Sequence, residues 1–358
     1  MLDLLVVGAG PAGLYATTCA GLRGLRVGIV DSLPFVGGQL TALYPETVLV
    51  DVPGQHRISA SRLTRLLAGQ ASEARPRWLL ARTVQQLETD AQGVRLAVVG
   101  AAAAGCEASP EWIEARAVLL TSGIGAFRPQ HASAQALEQA AVQGVYLLRP
   151  PGAGEIAGQR VLVVGGGLWA ASTALALSQS GSEVWLAHRR ERLAVPAEVQ
   201  AALQAGRVRL LPSREVGQLR VVDAGLRGVC LDSTRTEPPL DLMTDALVPC
   251  HAFVARPALS APGLVLEDSR RVQVDRTMAT SLDRVFCAGD AAGYAGKLPL
   301  LAAAFGEAQV AVSQAIARIE PGRRPFEGFS SHHPRPEPSP EYPAEPPALG
   351  PAALPISE

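Results

Sequence analysis

LLVVGAGPAGLYATTCAGLRGLRVGIVD, running from Leu4 to Asp31, decides the fold by the order of its residue types. The apolar run Leu4 to Val7 predicts a buried strand, and Gly8-x-Gly10-x-x-Gly13 predicts a turn. An apolar helix is expected to about Leu22, then a second strand ending in Asp31. Gly8 permits the tight turn, Gly10 lets backbone approach a pyrophosphate, and Gly13 lets the helix pack closely on its strand. The helix N-terminus offers unpaired N–H groups and partial positive charge to phosphates. Asp31, 23 residues past Gly8, stands where such folds place the carboxylate that bonds a ribose hydroxyl. An ordinary βαβ unit without ligand is the competing reading. Strand, turn, helix, strand and acid in register favour the dinucleotide.

The chain of 358 residues has room for two domains, and its 48% hydrophobic and 18% charged residues describe a globular protein over most of its length. A net charge of -1 gives no sign of a nucleic-acid or membrane partner. Of 32 basic residues, Lys297 is the one lysine, which reads as a compositional bias toward arginine. The first strand begins within a few residues of Met1, leaving no room for a leader, and no run of about 18 to 20 apolar residues suits a membrane helix. The expected location is the cytoplasm. Cys19, Cys106, Cys230, Cys250 and Cys287 are scattered and never spaced C-x-x-C, which argues against a disulfide framework, a metal site and a dithiol centre.

After Asp31, Gly37, Gly38 and Pro45 mark a loop, and a helix is expected from about Ser59 to Ser72. Alternating segments follow at Trp78 to Leu87 and Gly93 to Val99, with GAAAAGCEAS as a hairpin tip and Ala115 to Thr121 as a buried strand. Then the opening pattern returns. Gln159 to Val164 reads as a strand, Gly165-x-Gly167-x-x-Ala170 as a turn, Ala171 to Ser180 as a helix and Glu183 to Ala187 as a second strand. Counting 23 from Gly165 reaches His188. Two nucleotide-binding units, one for a resident and one for a visiting dinucleotide, describe an electron-transfer flavoprotein. The expected architecture is α/β with two Rossmann-like domains of the three-layer ββα type. Residues 1–122 and 252–333 would form a discontinuous domain for the resident dinucleotide and residues 123–251 an inserted domain for the visiting one. A helix starting near Pro299 is expected in the last block, and 334–358 read as a proline-dense disordered tail.

GGQLTALYPE (Gly37 to Glu46), TSGIGAFRP (Thr121 to Pro129) and AGD with GKLPLLAAAFGEA (Ala288 to Ala308) accompany the first glycine turn. With the extension past Ile319, these motifs resemble the ferredoxin/flavodoxin-NADP(H) reductases of the thioredoxin-reductase-like type, over roughly Leu2 to Ser331. The resemblance implies an FAD enzyme that takes hydride from NADPH at flavin N5 and passes single electrons to ferredoxin or flavodoxin, as a homodimer. It implies FAD contacts at Gly8, Gly10, Ala12, Gly13, Asp31, Gln39, Val84, Phe127, Asp290 and Ser331. Tyr44 would stack on one flavin face and Phe329 on the other, with His332 or His333 replacing Phe329 if the alignment shifts. Gly165, Gly167, Ala170, His188, Arg189 and Arg190 would hold NADP, positive charge after the strand favouring its 2'-phosphate. No side chain is needed as nucleophile or general acid, and no metal is implied. Arg323 and Arg324 adjoin the extension and are candidates for docking an acidic partner, with a solvated tail as the plain alternative.

Thioredoxin reductases of this architecture carry a C-x-x-C pair just before the second glycine turn, and the corresponding stretch here has no cysteine. A sister group of low-molecular-weight disulfide reductases tends to carry cysteine in the first turn, where this chain has Ala12. Where the family's second turn commonly reads G-G-G-D-S-A, Leu168 and Trp169 replace the two polar residues. They leave open an FAD-binding protein with a decayed pyridine-nucleotide site. The family's further arginine in H-R-R-x-x-F-R-A is also missing, with Arg192 as a partial substitute.

Overall fold

The computed structural model describes residues 1–43, 45, 47–100, 110–123, 125–129, 142–146, 153–250, 253–256, 259, 261–267, 271–325 and 328. These form two compact units, Met1–Ala126 with the described residues from Ala255 on, and Phe127–Val254. The stretch read as a hairpin tip falls at 101–109, outside the described residues.

The first unit opens with β1 (Leu2–Val7), α1 (Pro11–Leu22) and β2 (Val27–Val30). It continues through α2 (Ala60–Ser72), β3 (Arg77–Leu79), β4 (Arg82–Thr89), β5 (Val94–Gly100) and β6 (Glu111–Leu120). β1 lies parallel between β2 and β6, with Leu5 opposite both Gly28 and Val118. Such a central parallel strand is covered on both faces, which is why, past Asp3 at its start, it is apolar rather than alternating. Gly28 has no side chain because one would meet Leu2 Cδ1 at 2.5 Å. β6 is long enough to serve two partners on its other edge. Its first half pairs antiparallel with β5, which pairs with β4.

β7 (Ala126–Pro129) carries the chain into the second unit. There β8 (Arg160–Val164), α3 (Leu168–Gln179), β9 (Glu183–His188), α4 (Ala197–Ala205) and β10 (Arg209–Pro212) follow in order. The antiparallel strands β11 (Arg214–Val222), β12 (Gly225–Ser233) and β13 (Leu240–Leu242) precede β14 (Ala246–Pro249). The parallel sheet runs β10-β9-β8-β14. Side chains alternate across it. Val161 and Val163 join a core with Ala170, Ala174 and Leu177 of α3, while Leu162 and Val164 join one with Val216, Val229 and Leu231 of the antiparallel strands. Two apolar faces on one strand make the three layers.

β15 (Phe253–Arg256) returns the chain to the first unit, where β16 (Val285–Cys287) pairs parallel with the second half of β6. α5 (Leu301–Ile319) then packs against α1, with Tyr15 and Phe305 rings 5.2 Å apart. The helix begins two residues later than Pro299 suggests. Leu300 N–H donates to the Leu298 carbonyl at 2.9 Å, so the proline sits in a tight turn before the helix. Among the described residues no helix is long and apolar enough to cross a membrane.

Candidate functional site

In the first unit the three glycines play three physical parts. A Cβ on Gly13 would lie 1.8 Å from the Gly8 carbonyl oxygen, and one on Gly8, whose φ is +112°, would lie 2.4 Å from the Thr121 carbonyl oxygen. Both positions are closed by backbone. Gly10 is different: the nearest atom to its Cβ would be the Gly38 α-carbon at 4.0 Å, leaving room for a ligand against the main chain. Gly10 also caps α1 without a side-chain bond, whereas Ser59 caps α2 by accepting from Arg62 N. The N-cap of α1 thus supplies no side-chain acceptor to the first-turn amides, the condition for holding a phosphate.

Asp31 fixes this turn. Its Oδ2 accepts from Ala9 N at 2.6 Å and its Oδ1 from Leu33 N at 2.8 Å. Burial pushes its pKa up to about 6, against the two amides, which pull it down. Each oxygen retains a second lone pair for a hydroxyl. Val84 lies in the β4 ladder opposite Val98, beside a bulge, with its side chain in the core. Arg82, two residues earlier, donates its N–H to the Asp31 carbonyl.

Gln39 and Asp290, 251 residues apart in sequence, meet: Gln39 Nε2 donates to Asp290 Oδ2 at 3.4 Å. Gly123 faces the same group, since its Cβ would lie 3.4 Å from Gln39 Nε2. Gly289, with φ of +75°, packs on Ala12, to whose methyl a Cβ would come within 3.2 Å. The glycine turn, the GGQ loop, the TSG crossing and the AGD turn thus converge. Tyr44, Phe329, Ser331, His332 and His333 lie outside the described residues, as does the side chain of Phe127.

Thr121 was not among the expected contacts. Its hydroxyl reaches the carbonyls of Gly8 at 2.9 Å and Val7 at 3.1 Å, and its N–H donates to Val7 at 2.8 Å. It braces the glycine turn from the next strand. The signal available in sequence was its place at the head of TSGIG.

The second unit repeats the arrangement. A Cβ on Gly165 would lie 2.2 Å from the Cys250 carbonyl oxygen, while one on Gly167 would meet nothing within 4 Å among the described residues. Gly167 caps α3 without a side-chain bond. Trp169 turns onto the unit's core and Ala170 is fully buried. Arg189 and Arg190 are exposed, on a loop tied to its surroundings by several bonds. Ala194 N donates to Gly166 O at 3.1 Å, Thr234 Oγ1 to Arg189 O at 2.9 Å and Ser213 N to Arg190 O at 3.1 Å. His188 departs from its expected part as a positive charge. It is 3% exposed, with its Cβ under Gly166, and burial lowers its pKa, so the neutral form prevails at pH 7. The charge at this turn rests on the arginines.

Arg323, a docking candidate from sequence, is occupied within the chain. It donates to Glu320 Oε2 at 2.9 Å and to the Arg23 carbonyl at 2.8 Å, while Arg23 holds the carbonyls of Arg324 and Pro325. Cys19, Cys250 and Cys287 are buried. Burial pushes the first two up to about 12 and the third higher still, so none carries useful thiolate at neutral pH. No group of three or more ligating side chains that could hold a metal occurs among the described residues.

The open glycines allow a test that separates ligand from fold. Gly10→Ala and Gly167→Ala are expected to change the melting temperature of the cofactor-free protein by no more than a few degrees. Each should weaken its own nucleotide tenfold or more. Gly13→Ala should instead destabilise the fold itself, overpacking costing about 1–3 kcal/mol. Differential scanning calorimetry beside nucleotide titration checks all three.

The sequence profile of the pyridine nucleotide-disulphide oxidoreductase family matches residues 2–315. A ferredoxin–NADP reductase of a Nocardioides species is 40% identical over 334 residues, 92% of this chain and 97% of its own. One from Thermus thermophilus is 35% identical, covering 92% and 96%. In fold, the thioredoxin reductase of T. acidophilum aligns with a TM-score of 0.62 at 21% identity, over 88% of this chain and 98% of that one. The glycine turns, their acid and arginine partners and these likenesses agree, and the chain belongs to the pyridine nucleotide-disulphide oxidoreductase family, among its two-domain, thioredoxin-reductase-like ferredoxin–NADP reductases.

Proposed function

We propose that FAD lies in the first unit, along the turn at Gly8, Gly10, Ala12 and Gly13, and that NADP(H) lies in the second, along Gly165, Gly167 and Ala170. The chain is an FAD-dependent ferredoxin–NADP reductase. The observation that carries the site assignment is the pair of uncapped glycine turns, each with an open middle glycine. Bound FAD supplies the exchange between the two-electron chemistry of a nicotinamide and the one-electron chemistry of a ferredoxin.

The residues bind and orient. Amides at the start of α1 and α3 donate to pyrophosphate oxygens, and Asp31 and Asp290 accept hydrogen bonds from hydroxyls of FAD. Arg189 and Arg190 receive the 2'-phosphate that distinguishes NADP from NAD. Tyr44 and Phe329 are proposed to cover the flavin, with Val84, Phe127 and Ser331 as further contacts. The FAD domain is proposed as 1–122 with 252–333 and the NADP domain as 123–251. A homodimer, flavodoxin as a second acceptor and a cytoplasmic location complete the reading.

Anaerobic NADPH titration should bleach the flavin band within seconds, and ferredoxin should stimulate cytochrome c reduction by NADPH. Absence of stimulation at any ionic strength would remove ferredoxin as acceptor. Alkylation of accessible thiols with iodoacetamide is expected to leave the rate within about twofold, since the buried cysteines carry little thiolate. Loss of activity on alkylation would bring back a thiol-dependent disulfide reductase.

A further inference from the structure

Lys297 is the one lysine in a chain that otherwise uses arginine for every basic residue. Its side chain is 4% exposed, and its ammonium lies 2.5 and 2.6 Å from the two carboxylate oxygens of Glu307, itself 6% exposed. Glu307 also accepts from the Tyr294 hydroxyl at 2.6 Å and from the backbone N–H of Gly289 at 2.8 Å. Each oxygen thus carries two donors, which fills the usual capacity of a carboxylate.

A buried ion pair is weak evidence for stability, because desolvation offsets the attraction and an apolar pair of similar volume often serves as well. The geometry of this one says what else it does. Gly289 opens the single turn that carries Asp290; its positive φ favours glycine, which has no side chain of its own to pack the turn in place. The bond from Gly289 N–H to Glu307 is a restraint on it from the following helix, beside the Ala288 N–H bond to the Leu120 carbonyl. It holds the turn against Ala12 on one side and brings Asp290 to Gln39 on the other. A compact ammonium leaves room around the carboxylate for the phenol and the amide. A planar guanidinium, with five donors in a fixed fork, would displace one of them. A lysine therefore suits this position better than an arginine.

We propose that Lys297 and Glu307 are positioning residues for the flavin site, a buried latch that fixes the Gly289–Asp290 turn in the form that receives FAD. The proposal rests on the assignment of FAD to the first unit. Glu307→Gln and Lys297→Met each leave one buried charge unpaired, and each is expected to weaken FAD binding to the deflavinated protein at least tenfold. Each should also shrink the rise in melting temperature that FAD produces and alter the fine structure of the bound flavin's visible band. The double variant K297M/E307Q removes both charges yet leaves a side-chain carbonyl for Gly289 N–H, and should recover most of the affinity. Lys297→Arg keeps the charge but not the shape, and should lose at least threefold.

Should Glu307→Gln fail to fold, Tyr294→Phe and Lys297→Arg carry the test, Tyr294→Phe with a few-fold loss of affinity. FAD affinity and flavin spectrum at wild-type values in the folded variants, with only the melting temperature of the cofactor-free protein lowered, would overturn the latch and leave a purely structural pair. Wild-type protein that takes up no FAD would instead overturn the cofactor assignment, a result distinct from the first.

Discussion

Arg189→Ala combined with Arg190→Ala is expected to erase the preference for NADPH over NADH, lowering the ratio of their kcat/KM values about a hundredfold or more. Each arginine-to-phosphate contact is a charge-assisted hydrogen bond of about 1.5–3 kcal/mol, and about 1.4 kcal/mol is a factor of ten. Two adjacent arginines act on one phosphate, so their effects fall short of additive. The structure sharpens the expectation in two ways. With His188 buried and neutral, no imidazolium remains to replace the lost charge. The loop backbone is tied at Arg189 O, Arg190 O and Ala194 N, so trimming the side chains should not unfold it. Steady-state rates with both coenzymes provide the measurement. A ratio near unity in the wild type, or one that the double variant leaves unchanged, would take the 2'-phosphate away from these arginines. It would favour a second turn that no longer serves a nucleotide.

Asp290→Ala should release FAD. Losing a hydrogen bond to a partly buried hydroxyl costs about 1–3 kcal/mol, roughly a five- to 150-fold loss of affinity. The expected outcome is a pale protein after extensive dialysis, while Asp290→Asn, which still offers an acceptor, stays yellower. Gln39 should report on the same site, since its amide meets this carboxylate at 3.4 Å. Full flavin occupancy in the alanine variant would separate Asp290 from the cofactor.

Trp169 shows how a local reading changes once packing is known. As a letter in the second turn it stands where the family has a hydroxyl, which suggests an obstructed phosphate site. In the fold its ring packs on the core of its own unit, and Gly167 beside it stays open. Restoring serine there would lose that packing, so any gain in NADPH affinity would come with lower stability.

Much of the architecture was legible from order and spacing. Past Asp3 and Arg160, β1 and β8 are apolar because parallel strands are covered on both faces, and the two glycine turns precede helices that begin at Pro11 and Leu168. A step of 23 residues placed Asp31 and His188 at equivalent strand ends, because a helix and a strand of fixed rise fill that interval. Periodicity fixed those positions but could not say what surrounds them. That His188 is neutral, that Arg323 is spent on Arg23 and that Thr121 braces Gly8 follow from contacts between residues distant in the chain. The local sequence determined the elements, the turns and the nucleotide-binding class of this protein, since those depend on backbone sterics and the period of apolar residues. Only the tertiary structure decided the meeting of Gln39 with Asp290 and the closing of Lys297 on Glu307. Burial and hydrogen-bond pairing are properties of neighbours in space, set when the last block folds back on the first.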